Sequence, residues 1–102
     1  MTTFDFGDNN GPVPAHKHPN GGGWVADTAT VDETAFVGPK ALVYGHAWVG
    51  DDSRVCDKSQ VYDHACVCGT AKVYDNVRVY ENGQVYGNAK LFGNALVYDG
   101  DR

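Results

Sequence analysis

A branched aliphatic residue recurs at every sixth position between Val25 and Val97, without a single slip of register. These positions are Val25, Val31, Val37, Val43, Val49, Val55, Val61, Val67, Val73, Val79, Val85, Leu91 and Val97. A small residue stands two places before each of them, except before Val79, where the residue is Val77. A short fixed period of this kind is typical of a solenoid, in which each unit buries the apolar side of its neighbour.

Each six-residue unit combines a short strand with a corner. The order small, variable, aliphatic predicts a strand whose first and third residues point inward, so the other three residues must turn the chain. Gly87-Asn88 and Asp75-Asn76 are examples of the pairs found at these turning positions. Gly, Asp and Asn suit a sharp bend because they tolerate positive φ or bond to the local backbone.

These hexads resemble the hexapeptide-repeat proteins, and the resemblance covers roughly three quarters of the chain. It implies an all-β fold, a left-handed parallel β-helix (β-solenoid) of triangular section with three hexads in each coil. We therefore expect about four coils of 18 residues and an irregular N-terminal arm. The left hand comes from the resemblance alone, because parallel crossovers otherwise prefer the right hand.

The chain divides into an N-terminal arm or cap, residues 1–22, and the repeat, residues 23–102. The arm is rich in Asn, Gly and Pro, a composition that resists helix and strand alike. It is either disordered or a plug, in which Phe4 and Phe6 cover the open end of the solenoid.

A coil of 18 residues places residue n beside residue n+18 and sorts the hexads onto three faces. Face A holds residues 23–28, 41–46, 59–64, 77–82 and 95–100; face B holds 29–34, 47–52, 65–70 and 83–88; face C holds 35–40, 53–58, 71–76 and 89–94. Faces A and B are net acidic, and face B has no Lys or Arg, whereas face C is net basic.

Charge segregated in this way favours docking onto a protein, with solubility alone as the plainer alternative. The candidate partner-binding residues are Asp27, Asp32, Glu33, Asp51, Asp52, Asp63 and Glu81. The net charge of −5 argues against direct nucleic-acid binding, because phosphate neutralisation needs a basic surface. We therefore expect a basic protein partner.

Four tyrosines, Tyr44, Tyr62, Tyr80 and Tyr98, fall in one column of face A. Their stacked rings either cover one another and the corner, or form an aromatic strip that contacts a partner or a second copy. The second alternative predicts a homo-oligomer, either a dimer or a trimer.

Many hexapeptide-repeat proteins are acyltransferases that use a coenzyme A thioester and a histidine general base. The resemblance points to His46 and His64, which occupy the same corner of successive coils. The repeat is not interrupted by the loop that closes the site in such enzymes, and no phosphate-gripping Gly loop is visible. We expect no catalytic residue and no cofactor, and we keep acyl transfer from coenzyme A as the alternative.

Cys56, Cys66 and Cys68 are expected to be reduced thiols. His64, Cys66 and Cys68 alternate along one strand, which splays them too far apart to close on one ion, so we expect no metal site. The N-terminus lacks the basic and apolar regions of a signal peptide, and no apolar run reaches the length of a membrane span. These features favour a soluble, cytoplasmic protein with no membrane partner.

The segment from His18 to Asp27, followed by hexads of the Val-Tyr-Gly-Asn-Ala type, also resembles short repeat proteins of bacteria and their phages. We therefore expect a non-enzymatic binding module. Its sharpest form is a phage inhibitor that imitates nucleic-acid charge against a host defence or DNA-binding protein, with faces A and B as the imitating surface. A purely structural oligomer is the remaining alternative.

Overall fold

The computed structural model describes residues 2–98, which form fifteen short β-strands and no helix. In chain order the strands are β1 (Thr3–Asp5), β2 (Pro12–Lys17), β3 (Trp24–Ala26), β4 (Thr30–Val31), β5 (Phe36–Val37), β6 (Leu42–Val43), β7 (Trp48–Val49), β8 (Arg54–Val55), β9 (Gln60–Val61), β10 (Cys66–Val67), β11 (Lys72–Val73), β12 (Arg78–Tyr80), β13 (Gln84–Val85), β14 (Lys90–Leu91) and β15 (Leu96–Tyr98). Within these residues no helix has the length and apolar character needed to cross a bilayer. Met1 and residues 99–102, which close the predicted arm and repeat at either end, lie outside the described residues.

From β3 onward, every third strand pairs in parallel, which gives three sheets. Face A contains β3-β6-β9-β12-β15, face B contains β4-β7-β10-β13, and face C contains β5-β8-β11-β14. Paired Cα atoms are 18 residues apart, as in Val25 with Val43 and Val49 with Val67. The predicted β-solenoid of about four 18-residue coils is confirmed, and its left hand stays a prediction.

The periodic aliphatic residues form the core, a narrow line of side chains along the axis. From Val37 to Val79 each of them is fully buried, and burial of one such side chain contributes roughly 1.5–3 kcal/mol. Ser53 and Ser59 take two of the small inward positions. Their hydroxyls donate to the carbonyls of Gly50 and Cys56, so neither polar group is buried without a partner.

Three columns of tight turns join the faces. The AB corner comprises residues 27–28, 45–46, 63–64 and 81–82; the BC corner 33–34, 51–52, 69–70 and 87–88; the CA corner 39–40, 57–58, 75–76 and 93–94. The first residue of many turns has positive φ, including Gly45 (70°) and the non-glycine residues Asp51 (58°), Asp57 (57°) and Asp63 (61°). The corner composition read from the sequence therefore has the conformational cause expected of it.

Residues 3–17 form a β-hairpin, which is more regular than the irregular arm that the composition predicts. Strand β1 pairs antiparallel with β2, and β2 pairs antiparallel with β3, so the hairpin extends face A by two strands. Ala15 donates its N–H to the carbonyl of Thr2, so the residues of β2 that bond to β1 are Ala15 and Val13. The backbone nitrogens of Pro12 and Pro14 point away from β1. The missing N–H groups of the two prolines therefore cost no bond to that strand.

The aromatic side chains of the hairpin pack on the outer side of face A. Phe6 stacks on Tyr44 with ring centroids 4.8 Å apart, and Phe4 stacks on Trp24 at 4.7 Å. These rings form a second hydrophobic cluster, separate from the valine core. Phe4 and Phe6 thus cover the flank of the first coils, and the predicted plug over the end of the core is wrong in its position.

The segment from His18 to Gly23 covers the free edge of face C. Val37 donates its N–H to the carbonyl of Asn20, and Gly23 donates to the carbonyl of Val37. The buried His18 donates from Nε2 to the carbonyl of Ala35, at 2.8 Å. At Gly21, where φ is 113°, a Cβ would lie 2.2 Å from the Val37 oxygen, so only glycine fits. The start of the solenoid is therefore closed on two of its three faces.

The last described coil is much less covered than the first. Tyr86, Phe92, Leu96 and Tyr98 are each more than half exposed, and β13, β14 and β15 end their sheets. Leu91 and Val97 are only partly buried at the inward positions of this coil. The two ends of the described solenoid thus differ in burial.

Candidate functional site

The predicted partner-binding acids lie mainly at corners, and most are exposed. Asp27, Asp63 and Glu81 occupy the AB corner; Glu33, Asp51 and Asp52 occupy the BC corner, with Asp32 just before it. A turn projects its side chains further into solvent than a flat strand does. The two acidic faces inferred from the sequence are therefore, in space, two acidic ridges along the AB and BC corners.

Several of these carboxylates also bond to the backbone of the neighbouring coil. Asp32 Oδ2 accepts from the N–H of Asp51 at 2.8 Å, and Asp51 Oδ2 accepts from the N–H of Gly69 at 3.0 Å. Asp63 Oδ2 accepts in the same way from Glu81 at 3.0 Å. A carboxylate has about four lone-pair sites. Each of these groups thus holds the corner and keeps acceptor capacity for a partner.

The negative charge of the two ridges has little local compensation. Within residues 2–98, the single close contact between a carboxylate and a basic side chain is the hydrogen bond of Asp27 Oδ1 with His16 Nδ1 at 2.7 Å, and both side chains are about half exposed. No carboxylate in this part of the chain pairs with Lys or Arg. The field of the ridges therefore extends into solvent.

The basic residues of face C line up on a different side of the solenoid. Arg54, Lys72 and Lys90 are exposed, and their Cα atoms are direct partners on successive parallel strands. The Arg54 guanidinium also lies 5.6 Å from the ring centroid of Phe36. The charge segregation read from the sequence is thus a spatial property of the fold.

The tyrosine column of face A is a continuous ring stack. Centroids are 4.9 Å apart from Tyr44 to Tyr62, 5.5 Å from Tyr62 to Tyr80, and 5.2 Å from Tyr80 to Tyr98. Phe6 covers the first ring, so Tyr44 is buried and only the far end is freely exposed. Burial raises the pKa of Tyr44 to about 12, with the hydroxyl of Tyr62 as the next contributor. The role of the strip in oligomerisation stays a prediction.

His46 and His64 stack at the AB corner with centroids 5.3 Å apart and planes 8° apart. Both are exposed. Within residues 2–98 neither imidazole accepts or donates a side-chain hydrogen bond, whereas His16 and His18 do. A histidine base normally has a partner that fixes its tautomer and orientation. In the part of the chain that is described, the pair has no such partner.

The three thiols are free and partly buried. Burial raises the pKa of Cys66 to about 11, assisted by the neighbouring Cys68 thiol, and burial followed by the charge of Asp57 raises the pKa of Cys56. A thiol that stays protonated is a poor nucleophile and a poor metal ligand. Among residues 2–98, no three His, Cys, Asp or Glu side chains come together as a metal site.

A cavity of about 330 Å³ lies between the hairpin and the AB corner of the first two coils. Phe6, Ala26 and Tyr44 are buried in its wall, and Asp8, Asp27 and His46 also line it. Sequence periodicity does not predict this cavity, because it forms only where the hairpin folds over the repeat. The alternation of exposed and less exposed residues in Thr3–Asp5 and Pro12–Lys17 is the feature from which the hairpin could have been predicted. The two prolines of Pro12–Lys17 argue against a strand and hide that pattern.

The three parallel sheets, the 18-residue register and the valine core define the chain as a β-solenoid repeat protein. Residues 71–87 match the family model described as YdcK Beta solenoid repeat, a stretch that includes Val73, Val79 and Val85 of the core. The match supports the predicted β-helix repeat family. Neither a curated protein nor a solved structure matches the chain.

Proposed function

We propose that this solenoid is a non-enzymatic binding protein that docks a basic partner protein through its AB and BC corners. The observation that carries the proposal is the set of exposed corner carboxylates without Lys or Arg partners in residues 2–98. Opposite charges on a partner would be steered toward these ridges and held there. A rigid solenoid suits this role because little conformational freedom is lost on binding.

The more specific form of the proposal is charge mimicry. Where acids occupy successive coils, the coil spacing holds them about 4.8 Å apart, as with Asp63 and Glu81 at the AB corner. A surface of this kind competes with nucleic acid for a DNA-binding or host-defence protein, as a phage inhibitor would. We place this action in the cytoplasm, where the three free thiols stay reduced.

Affinity capture with mass spectrometry tests the docking proposal, using Asp51→Lys with Asp52→Lys as the test variant. The matched control is Asp57→Lys with Asp75→Lys, which reverses the same number of charges at the CA corner. Capture of a basic partner should be lost in the test variant and kept in the control. Equal capture by both variants, or equal loss, would contradict docking through the acidic ridges.

Competition with double-stranded DNA tests the mimicry separately. If the captured partner binds DNA, excess DNA should displace it from the solenoid, and the displacement should weaken as salt screens both interactions. Persistent capture in the presence of DNA would remove the mimicry and leave docking intact. A parallel assay of acetyl-coenzyme A binding addresses the enzymatic alternative: binding that His46→Ala or His64→Ala abolishes would favour acyl transfer instead.

A further inference from the structure

The cavity beside the hairpin has an apolar interior. Phe6, Val13, Ala26 and Tyr44 line it, and three of these side chains are almost fully buried. Its volume of about 330 Å³ is at the small end of the range for ligand pockets in proteins, which begins near 300 Å³. It is therefore large enough for one long side chain or a small molecule.

Two carboxylates stand among the polar residues of the cavity lining, Asp8 and Asp27. Asn10 holds Asp8 in place, because its backbone N–H donates to Oδ1 at 3.2 Å and its side-chain amide donates to Oδ2 at 3.1 Å. Asp8 is itself half-buried beside the cavity. Asp27 uses Oδ1 for His16 and keeps Oδ2 available.

An apolar cavity with carboxylates in its lining favours a ligand with an aliphatic stem and a cationic head. A purely apolar ligand would remove Asp8 and Asp27 from water without giving them a partner, which costs free energy. Between the two cationic side chains, arginine fits better. Its planar head offers five N–H donors in a fixed fork, is more weakly hydrated than an ammonium group, and packs on aromatic rings.

We propose that this cavity receives an arginine side chain of the partner protein, with Asp8 and Asp27 binding the guanidinium and Phe6, Val13 and Tyr44 packing on its stem. This inference rests on the proposed function, since it names the residue type by which a basic partner is recognised. It also gives the acidic AB corner a specific anchor, as interfaces commonly have one or a few buried anchors amid weaker contacts.

Titration of the whole 102-residue chain with N-acetyl-arginine methylamide, followed by NMR, tests the pocket without the partner. A single side chain should bind with a dissociation constant on the order of 1 mM. The shifts should saturate and centre on Phe6, Tyr44 and His46. The uncharged citrulline counterpart, which has nearly the same shape, should not bind, and the lysine counterpart should bind more weakly.

Asp8→Asn and Asp27→Asn should each weaken arginine binding about tenfold, because each removes one charge-assisted bond. Asp57→Asn is the matched control: it removes one carboxylate at the CA corner and should leave the affinity unchanged. Equal binding of the citrulline counterpart would overturn the proposal, as would equal weakening by Asp57→Asn, which would indicate a general charge effect.

Partner capture separates failure of this inference from failure of the proposed function. If the Asp51/Asp52 reversal abolishes capture while Asp8→Asn and Asp27→Asn leave it intact, docking stands and the arginine pocket is wrong. If no variant changes capture, both are wrong. Loss of capture in the Asp8 and Asp27 variants, together with the arginine titration above, supports both.

Discussion

At the scale of single residues, the corner carboxylates explain how side chains other than glycine occupy a left-handed backbone conformation. A non-glycine residue at positive φ costs roughly 1–2 kcal/mol. Asp57 has φ 57°, and its Oδ2 accepts from the N–H of Asp75 in the next coil at 2.9 Å. Asp75 repeats the arrangement with Gly93 at 2.8 Å. The side chain thus offsets the backbone cost by linking successive coils.

Asp57 provides a direct test of this link. Asp57→Asn should change the free energy of unfolding by less than about 0.5 kcal/mol, because asparagine tolerates positive φ and keeps an acceptor oxygen. Asp57→Ala should cost about 1–2 kcal/mol, since it loses the bond and keeps the strain. Urea unfolding of the three proteins measures both. Equal stability of the Ala and Asn variants would show that the bond contributes nothing.

Tyr44 makes stability depend on pH at the alkaline end. Its pKa of about 12 in the folded chain lies above the ordinary value of 10.0, so the folded state retains the phenolic proton longer than the unfolded state. The stabilisation is complete below pH 10 and should be lost as pH rises toward 12. Tyr44→Phe should reduce this alkaline loss, measured as urea midpoints at neutral and alkaline pH, whereas Tyr86→Phe at an exposed position should leave it. An unchanged alkaline loss in Tyr44→Phe would contradict the assignment.

The corner residue types were predictable from the sequence, and their bonds were not. Gly, Asp and Asn at the turning positions predict a bend, whichever two faces the turn connects. The bond from Asp57 to Asp75 depends on a side-chain rotamer and on the exact stacking of two coils. The sequence of single hexads therefore predicts Asp51 and Asp63 as partner-binding residues, and it does not show that both also accept hydrogen bonds from the backbone of the next coil.

At the scale of strands, face C carries a feature that does not help the fold. Arg54, Lys72 and Lys90 lie in register on neighbouring strands, about 4.8 Å apart along the ladder. Like charges directly opposite one another on adjacent strands are destabilising. Among residues 2–98 no carboxylate pairs with this column. Its charge is therefore tolerated at some cost.

Lys72→Gln should accordingly stabilise the protein, by about 0.2–0.5 kcal/mol at low salt. The gain should shrink at 1 M salt, where the Debye length falls to about 3 Å. Lys58→Gln, at the CA corner and outside the column, is the matched control and should give a smaller change. Chemical unfolding at two ionic strengths measures the effect. A destabilised Lys72→Gln at low salt would mean that the lysine stem packs on the face more usefully than its charge repels.

The strands of the repeat were predictable and those of the hairpin were not. The same hydrophobic pattern repeats in thirteen hexads, so one atypical hexad does not change the register predicted for the others. Thr3–Asp5 and Pro12–Lys17 are short and do not repeat, and the second contains two prolines. Strand β2 pairs with β3 and β1 pairs with β2, so the hairpin depends on the edge of face A, which the composition of the arm alone does not show.

At the scale of the whole molecule, the hairpin and the last coil give the described solenoid one covered and one uncovered end. Phe6 is nearly fully buried against Tyr44, whereas Phe92 is 61% exposed. Truncating a well-buried Phe typically costs about 3 kcal/mol or more, and truncating an exposed one costs little. The two phenylalanines therefore form a matched pair.

Phe6→Ala should lower the free energy of unfolding by about 3 kcal/mol, and Phe92→Ala by less than about 1 kcal/mol. Thermal or urea unfolding measures the difference. Phe6→Ala should also expose the ring of Tyr44 and bring its pKa back toward 10.0, which ultraviolet titration of the phenol detects. Similar losses for the two variants would show that the hairpin does not protect this end.

The segregation of charge in the candidate site was predictable from the sequence, and the cavity beside the hairpin was not. The separation of acids from bases follows from the 18-residue register, and His46, His64 and the tyrosine column fall where that register puts them. The cavity with Asp8 and Asp27 requires two parts of the chain to pack together. The cavity depends on where the hairpin packs, and the six-residue period of the repeat carries no information about that position.

Because the first coil is covered, local unfolding of the described solenoid should start at its other end. Strands of face C make the same kind of ladder bond throughout, yet β5 is bonded to the His18–Gly23 segment on its outer side while β14 ends its sheet. Fraying should then begin near β14 and move toward β5, coil by coil. Amide hydrogen exchange should be fastest at Leu91 and slowest near Val37, whose N–H is bonded to Asn20, a gradient that a solenoid with two equivalent ends would not have.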